Sequence, residues 1–382
     1  MKIIKTLSRF KIRSLVAFSI LSACVERIDF KVPSAQLLTV VEGTISNDPG
    51  PYKVKITKGL TLEGSSSLIS VQKAKIKLYD NLGNVEAFKE TDPGVYETGG
   101  VIRGEIGRSY YILIETADGK MFESEPDRLN PVGEIEDIRF EFEARTSVKS
   151  FGEIVEDVFN IYVDANASVE ANAGENDNYV RWRFTGTYKF ETNPELHIIV
   201  YPFPYLPLKY PWPCSGYIVG PGPTGSGGIL EKIADCTCCT CWVKQFESQP
   251  QLSDGQFVNG NKFRNVKVGE VPITRTTFSD KYLIEVEQLS LSKKSFEFFK
   301  LVRAQKEGAS NLFQPPSGEI KSNIKSVNNN DPIIGIFWAT SKKKKSIFIQ
   351  KEDIPYPIPV RYISTNPCTK VPNSSTTKPD LW

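Results

Sequence analysis

The most reactive side chains in this chain are its seven cysteines, and they divide into two groups with different chemistry. Cys24 stands alone at the end of Leu21-Ser22-Ala23-Cys24. A leucine, two small residues and a cysteine read as a bacterial lipobox, at which the thiol is lipidated and becomes the first mature residue. The upstream residues agree. Lys2, Lys5, Arg9, Lys11 and Arg13 form a positive region, and Leu15-Val16-Ala17-Phe18-Ser19-Ile20-Leu21 forms a short apolar one, as in a secretory signal. That apolar run is far below the roughly 20 residues needed to span a bilayer. An ordinary signal cut after a small-x-small triplet would put Leu21 at the first small position, where it fits poorly. Each buried CH₂ of an acyl chain contributes about 0.8 kcal/mol and stable anchoring takes at least two chains, so a multiply acylated Cys24 is a permanent tether. Glu26 and Asp29 just after it resemble a surface-export signal of some Gram-negative lipoproteins.

The other six cysteines are Cys214, Cys236, Cys238, Cys239, Cys241 and Cys368. Two chemistries fit them, with free or mixed thiols as the remaining alternative. An even number of thiols in an exported chain suits three disulfides, with fifteen possible connectivities. The run Cys-x-Cys-Cys-x-Cys also resembles soft-metal thiolate clusters that suit Cu(I) or Zn. Thiolates need a reducing compartment and export disfavours one, so the expectation is disulfides and no metal site. Neighbouring Cys238 and Cys239 are not expected to pair with each other; Cys214, Cys368 or other loop cysteines are the expected partners.

Catalytic sets are absent from the pattern. The single histidine, His197, sits in a strand-like segment, and histidine triads or multi-histidine zinc sites need partners that this chain lacks. No P-loop and no Gly-x-Gly-x-x-Gly occurs. Among 45 carboxylates no pair is marked out as an acid–base couple. We therefore expect a non-enzyme with no cofactor. Without the five cations of residues 1–23, 42 basic residues face 45 acidic ones, a net charge of −3. That argues against a nucleic-acid partner held by counterion release.

A last group of candidates is aromatic. Between positions 202 and 223 seven prolines are interleaved with Phe203, Tyr205, Tyr210 and Trp212, and Trp242 closes the cysteine run. Proline removes backbone donors, so this stretch is no central strand. It is either a packed surface loop or a projecting, partly polyproline loop whose aromatics contact a partner or ligand.

The elements that must carry these residues are mostly strands. Over 35–127, short runs such as Tyr52-Lys53-Val54-Lys55-Ile56-Thr57 and Ala74-Lys75-Ile76-Lys77-Leu78-Tyr79 alternate apolar and polar residues between turns such as Asp118-Gly119. Such spacing predicts an Ig/fibronectin-like β-sandwich with one face buried. Residues 127–133 read as a linker. A second β-rich domain is predicted over 135–365, carrying the insertion 202–242 and one helix over 293–306, capped by Ser292 and with Phe296, Phe299 and Val302 on one face. Ile333-Ile334-Gly335-Ile336-Phe337-Trp338-Ala339 and Ser346-Ile347-Phe348-Ile349 are expected to pair through an exposed lysine turn at 341–345. Residues 1–23 are the signal, 24–34 the tether and 366–382 a frayed polar tail.

Cys24, Ile28-Asp29, Val41-Glu42-Gly43-Thr44-Ile45, Gly50-Pro51-Tyr52-Lys53-Val54, Gly94-Val95-Tyr96, Gly107-Arg108-Ser109-Tyr110, Asp118-Gly119-Lys120 and Ser124-Glu125 follow one another along the first half. Cys241-Trp242, Tyr282-Leu283-Ile284-Glu285-Val286, Phe298-Phe299, Phe313-Gln314-Pro315-Pro316, Asn323-Ile324 and Gly335-Ile336-Phe337 follow in the second. In that order the chain resembles the bacterial lipoproteins catalogued as "domain of unknown function 4249". The resemblance implies a cell-envelope lipoprotein, often encoded beside a TonB-dependent outer-membrane receptor, and no known catalytic residues. The long proline-aromatic insertion and the dense cysteine cluster depart from the family pattern. They make 202–242 the place for anything specific to this chain. The expected function is a lipid-anchored outer-membrane accessory or binding protein that assists a TonB-dependent receptor in ligand capture or uptake. The alternatives are a structural or adhesive envelope protein, then a metal-handling protein or a hydrolase.

Overall fold

A computed structural model describes residues 37–60, 68–149, 152–167, 179–200, 207–222, 228–253, 262–309, 320–328, 330–359 and 363–382. Cys24, the segments 1–23 and 24–34 read as signal and tether, Phe203 and Tyr205 lie outside the described residues. The chain is mainly β, with one α-helix among the described residues.

The alternation read from the sequence builds the first sandwich. Strand Lys75–Asp80 buries Ile76 and Leu78 and exposes Lys75 and Lys77. Strand Ser109–Glu115 buries Tyr110, Ile112 and Ile114. The sheet runs through Met121–Ser124, Ser109–Glu115, Lys75–Asp80, Val85–Asp92, Val95–Thr98, Lys53–Leu60 and Leu37–Ser46. Strand Val85–Asp92 pairs with Tyr79 to Lys77 at its start and with Val95–Thr98 at its end, so the sheet folds over at this strand. Val54, Ile56, Leu78, Ile112, Ile114 and Phe122 are fully buried in the core so formed. Each such side chain stabilises the fold by about 1.5–3 kcal/mol.

Both edges of this sheet are finished by later parts of the chain. Ile324–Ser326 pairs antiparallel with Met121–Ser124, and Ile333–Thr340 pairs parallel with Leu37–Ser46. These two strands thus lie in the first sheet, not in the second region to which the sequence reading assigned them. The expected hairpin between Ile333–Thr340 and the strand after it does not form. After Ser341 the chain continues as strand Lys342–Ile349 and pairs with Tyr282–Ser290 in the other sandwich. The lysines are ladder residues, not a turn: Lys342 meets Glu287 at 3.4 Å and Asp48 at 2.6 Å, Lys344 pairs with Glu285 and Lys343 with Glu134. No Gly, Pro, Asn or Asp stands at 341–345 to turn the chain. Opposed acids on the neighbouring strand contribute roughly 0.2–1 kcal/mol per pair.

The second sandwich packs a three-stranded sheet, ordered Ile135–Glu143, Val158–Asn166, Lys262–Pro272, against a larger one. The larger sheet runs Lys342–Ile349, Tyr282–Ser290, Val180–Glu191, Thr240–Phe246, Ser374–Ser375, with Gln251–Ser253 also paired to Val180–Glu191. Phe159, Ile161, Trp182, Phe263, Phe278, Ile284 and Val286 form the shared core. Trp182 meets Phe263 edge-on at 5.1 Å. Its indole N–H donates to Gln288 Oε1 at 2.8 Å, and Gln288 Nε2 donates to the carbonyls of Gly133 and Asn166, each at 2.9 Å. The buried amide is therefore satisfied on both sides.

The segment read as a linker is a bonded seam. The carboxylate of Asp127 accepts from Ser295 Oγ at 3.1 Å, from the Ala339 N–H at 2.9 Å and from Ser292 Oγ. Burial pushes this carboxyl above the ordinary aspartate range, against those donors. The Asn130 carbonyl accepts from Ser290 Oγ at 2.6 Å and Ser341 Oγ at 2.5 Å. Helix Lys293–Ala309 starts at Ser292, whose Oγ accepts the Ser295 N–H at 3.2 Å. Its Phe296 and Phe299 pack with Leu289, Leu291, Ile336 and Trp338 at this junction.

Candidate functional site

The insertion leaves the second sandwich after strand Val180–Glu191. It forms two short hairpins, Ile198–Val200 with Pro207–Lys209 and Tyr217–Gly220 with Ile229–Lys232. Two-stranded hairpins are marginal by themselves, and here covalent bonds close their base. Cys214 pairs with Cys238, Cys236 with Cys239, and Cys241 with Cys368. Backbone bonds tighten the same knot: the Thr192 N–H donates to the Cys239 carbonyl at 2.8 Å, Thr237 to Cys214 at 2.9 Å and Cys368 to Cys238 at 2.9 Å. Gly216 is required at the turn between the hairpins. Its φ is 74°, and a Cβ there would lie 2.1 Å from the Ala234 carbonyl oxygen.

The Cys241–Cys368 bond also settles the C-terminal tail, which is stapled and not frayed. Cys368 is fully buried, Ser374–Ser375 adds to strand Thr240–Phe246, and Trp382 packs edge-on against Phe348 at 5.9 Å.

The hairpins turn an unusual amount of apolar surface outward. Tyr210 is 59% exposed and Ile233 62%, and Ile198, Val200, Leu208 and Ile229 are about half exposed. Between the hairpins lies a groove of about 450 Å³ lined by Tyr210, Pro211, Pro213, Tyr217, Ile218 and Ile233. Lys209 Nζ donates to the Gly228 carbonyl at 3.2 Å and ties one hairpin to the other.

The three sequence-derived aromatics among the described residues do not converge. Tyr210 belongs to that groove. Trp212 lies 5.2 Å from the His197 ring, with Lys370 Nζ 3.7 Å over its face. His197 is accordingly part of an aromatic support. Trp242 lines another cleft, of about 460 Å³, with Lys244, Leu283, Glu285, Lys344 and Asp380, and meets Trp382 edge-on at 6.5 Å.

A third and larger cleft, about 930 Å³, was not anticipated. It opens between the two sheets of the second sandwich. Phe184, Tyr188, Val243 and Val268 form its apolar floor, and Lys244, Gln245, Glu247, Gln249, Lys267 and Glu270 its polar rim. Two bulges shape it. Residues 247–250 bulge out between the parts of the strand paired with Thr185 and Trp182, and Val268 bulges where the register shifts between Ile161 and Tyr162. Glu247 turns back from its bulge, pairs with Arg181, and accepts the Phe184 N–H at 3.1 Å. Arg145, 2.9 Å away, and Lys267 hold the Glu270 carboxyl down at about 2. Gln245 Oε1 accepts from Tyr282 Oη at 2.5 Å, and burial pushes that phenol up. Two signals in the sequence could have marked it, though neither was used: Pro250 interrupting one strand run and Gly269 inside another. Among the described residues no group of three or more His, Cys, Asp or Glu is arranged to hold a metal, and the six described cysteines are all consumed in disulfides.

Comparison with known proteins gives a family and little else. The profile of the family described as "Domain of unknown function (DUF4249)" matches residues 25–346. No curated protein matches. Among solved structures, a DUF4785 family protein from Legionella pneumophila is 12% identical with a TM-score of 0.16, covering 61% of this chain and 54% of that one. This chain therefore spans about half the length of that protein. The B domain of a biofilm associated protein is 8% identical with a TM-score of 0.11, covering 81% of this chain and 85% of that one.

Proposed function

The chain belongs to the domain of unknown function 4249 family, and from that premise we propose that it is a lipid-anchored accessory or binding protein of the bacterial outer membrane. Cys24 carries the lipid. The two sandwiches present the stapled insertion to a TonB-dependent receptor, which the protein assists in capturing or taking up a ligand. The observation that carries this reading is the insertion's exposed apolar surface. Side chains such as Tyr210 and Ile233 stay in water at a cost that the disulfides and hairpins keep in place. Exposed apolar patches held on a rigid base mark protein contacts. The groove between the hairpins offers tyrosine walls, the residue type that dominates interface energetics.

The test is a crosslinked pull-down from intact outer membrane, with partners identified by mass. A barrel receptor should co-purify with the wild-type chain and be lost from Tyr210→Asp/Ile233→Asp. Recovery of the wild-type chain without a partner would reject the reading. Cys24→Ser should move the chain from the membrane to the soluble fraction; retention in the membrane would reject the anchor.

A further inference from the structure

The second sandwich is closed along one side and open along the other. On the closed side strand Lys342–Ile349 lies beside Ile135–Glu143, and Lys345 Nζ donates to the Glu136 carbonyl. On the open side two strands run out of partners, and both line the 930 Å³ cleft. Among the described residues Lys262–Pro272 pairs only with Val158–Asn166 and lies at the edge of its sheet. Among the described residues Thr240–Phe246 has an outer strand neighbour, Ser374–Ser375, only at Trp242 and Val243. One more bond follows, from the Lys244 N–H to the Asn373 carbonyl at 3.0 Å. There the ladder must stop, because Asn373 is left-handed at φ 60° and Pro372 has no N–H to give. Beyond that point the outer edge at Phe246 has no strand partner among the described residues.

We propose that this seam accepts a strand: it binds an extended polypeptide segment of a partner, carrying a carboxylate placed near Lys244. Three features select that occupant. One wall, Lys262–Pro272, is a backbone edge, and the other offers backbone groups at its Phe246 end, so the seam presents N–H and C=O groups at the period that only another extended backbone matches. The floor of Phe184, Tyr188, Val243 and Val268 suits the inward side chains of an alternating strand. The charges are sorted: Glu247 is neutralised by Arg181 and Glu270 by Arg145 and Lys267, while Lys244 has no acid partner among the described residues. An acidic residue of the segment supplies the missing charge. The bulges at 247–250 and at Val268 keep the two edges from closing on each other, a common way for edge strands to be protected until used. This inference stands apart from the insertion and its receptor.

The experiment uses the full chain in detergent micelles against an arrayed library of linear 12-residue peptides. Binders should alternate apolar and polar residues and carry Asp or Glu. Methylating their central amide nitrogens one at a time should weaken binding at least tenfold at two or more positions, the loss expected when a main-chain bond goes. Lys244→Glu, an exposed position, should weaken binding of acidic peptides at least fivefold and favour basic ones. Tyr210→Asp/Ile233→Asp should leave peptide binding within twofold while abolishing receptor capture, which separates the two proposals. The inference is overturned if no peptide in the array binds. It is equally overturned if binders tolerate both amide methylation and Lys244→Glu, or if only neutral oligosaccharides bind.

Discussion

The two sandwiches solve the same packing problem with different materials. The first folds one sheet over on itself and ties its interior with tyrosines. Tyr96 Oη donates to the Val71 carbonyl at 2.7 Å and accepts the Ala74 N–H at 3.0 Å. Tyr52 Oη donates to the carbonyls of Ser46 and Asp48 and accepts from Gly104. The second uses disulfides and a surface lattice of ion pairs, in which Arg145, Lys262, Arg264 and Lys267 bind Glu136, Glu143 and Glu270. It also leaves one seam open and carries the insertion. The difference teaches where function can reside. A closed, tyrosine-tied sandwich suits a mount, while buried disulfides at the base of the insertion and ion pairs on the surface tie the second sandwich beside its open edges.

The strongest way to break that comparison is to cut the long staple. The loop between Cys241 and Cys368 spans 127 residues, against 3 for Cys236–Cys239. On loop-closure grounds the first stabilises by about 4–5 kcal/mol and the second by about 1–2 kcal/mol. Cys241→Ser/Cys368→Ser should therefore split calorimetric unfolding into two transitions, the lower one belonging to the second sandwich. Cys236→Ser/Cys239→Ser should only shift it slightly. A single unsplit transition in the first variant would show that the sandwiches are not held by separate ties.

Gly335→Val attacks what the sandwiches share. Its strand runs parallel to Leu37–Ser46, and a Cβ at 335 would stand 2.0 Å from the Val41 carbonyl oxygen. The variant should lose about 3 kcal/mol or more, in the range of severe backbone clashes. Because the same chain continues into Lys342–Ile349, both transitions should fall together in denaturant titrations. A drop confined to the first sandwich would show that Ser341 uncouples them.

This shared strand also marks the limit of what sequence patterning can reveal. Alternation along Lys75–Asp80 or Ser109–Glu115 states which face is buried, and Ser292 states where a helix begins, because both signals are local. The partner of Ile333–Thr340 is almost three hundred residues away at Leu37–Ser46, and nothing local distinguishes that pairing from a hairpin with the next strand. The candidate site divided in the same way. The cysteine run and the aromatics announced the insertion, but the open seam arises from two bulges on strands distant in sequence. Of its residues only Pro250 and Gly269 left a visible trace.

Acid should separate the sandwiches without mutation. Lys262 and Arg264 hold the Glu136 carboxyl at about 2, Arg145 and Asn160 do so for Glu143, and Arg145 leads at Glu270. Each folded-state value lies below the ordinary 4.5. The stabilisation is thus complete above about pH 4.5 and is lost as the pH falls toward 2. All three carboxylates lie on the second sandwich, so its transition should drop first on acidification. Glu136→Gln should flatten that pH dependence, and an unchanged slope would assign it elsewhere. Among the described residues of the first sandwich, Glu125, held at about 2 by Lys294 and Lys325, is the one carboxylate brought as low.

The smallest effect falls on the tyrosine ties. Tyr96 is 1% exposed and its hydroxyl both donates and accepts. Tyr96→Phe keeps the ring and its packing but leaves the Val71 carbonyl and the Ala74 N–H without that partner. A neutral intramolecular hydrogen bond contributes about 1 kcal/mol, and leaving a buried group unpaired raises the cost by a similar amount. The variant should therefore lose about 1–2 kcal/mol, and the loss should appear only in the transition of the first sandwich. It should also be independent of pH between 2 and 8, because burial has already raised this phenol above its ordinary value of 10. A loss that grew in acid would mean that the first sandwich leans on ion pairs as the second does, and the contrast between a rigid mount and an ionically tied, open-edged partner would fail.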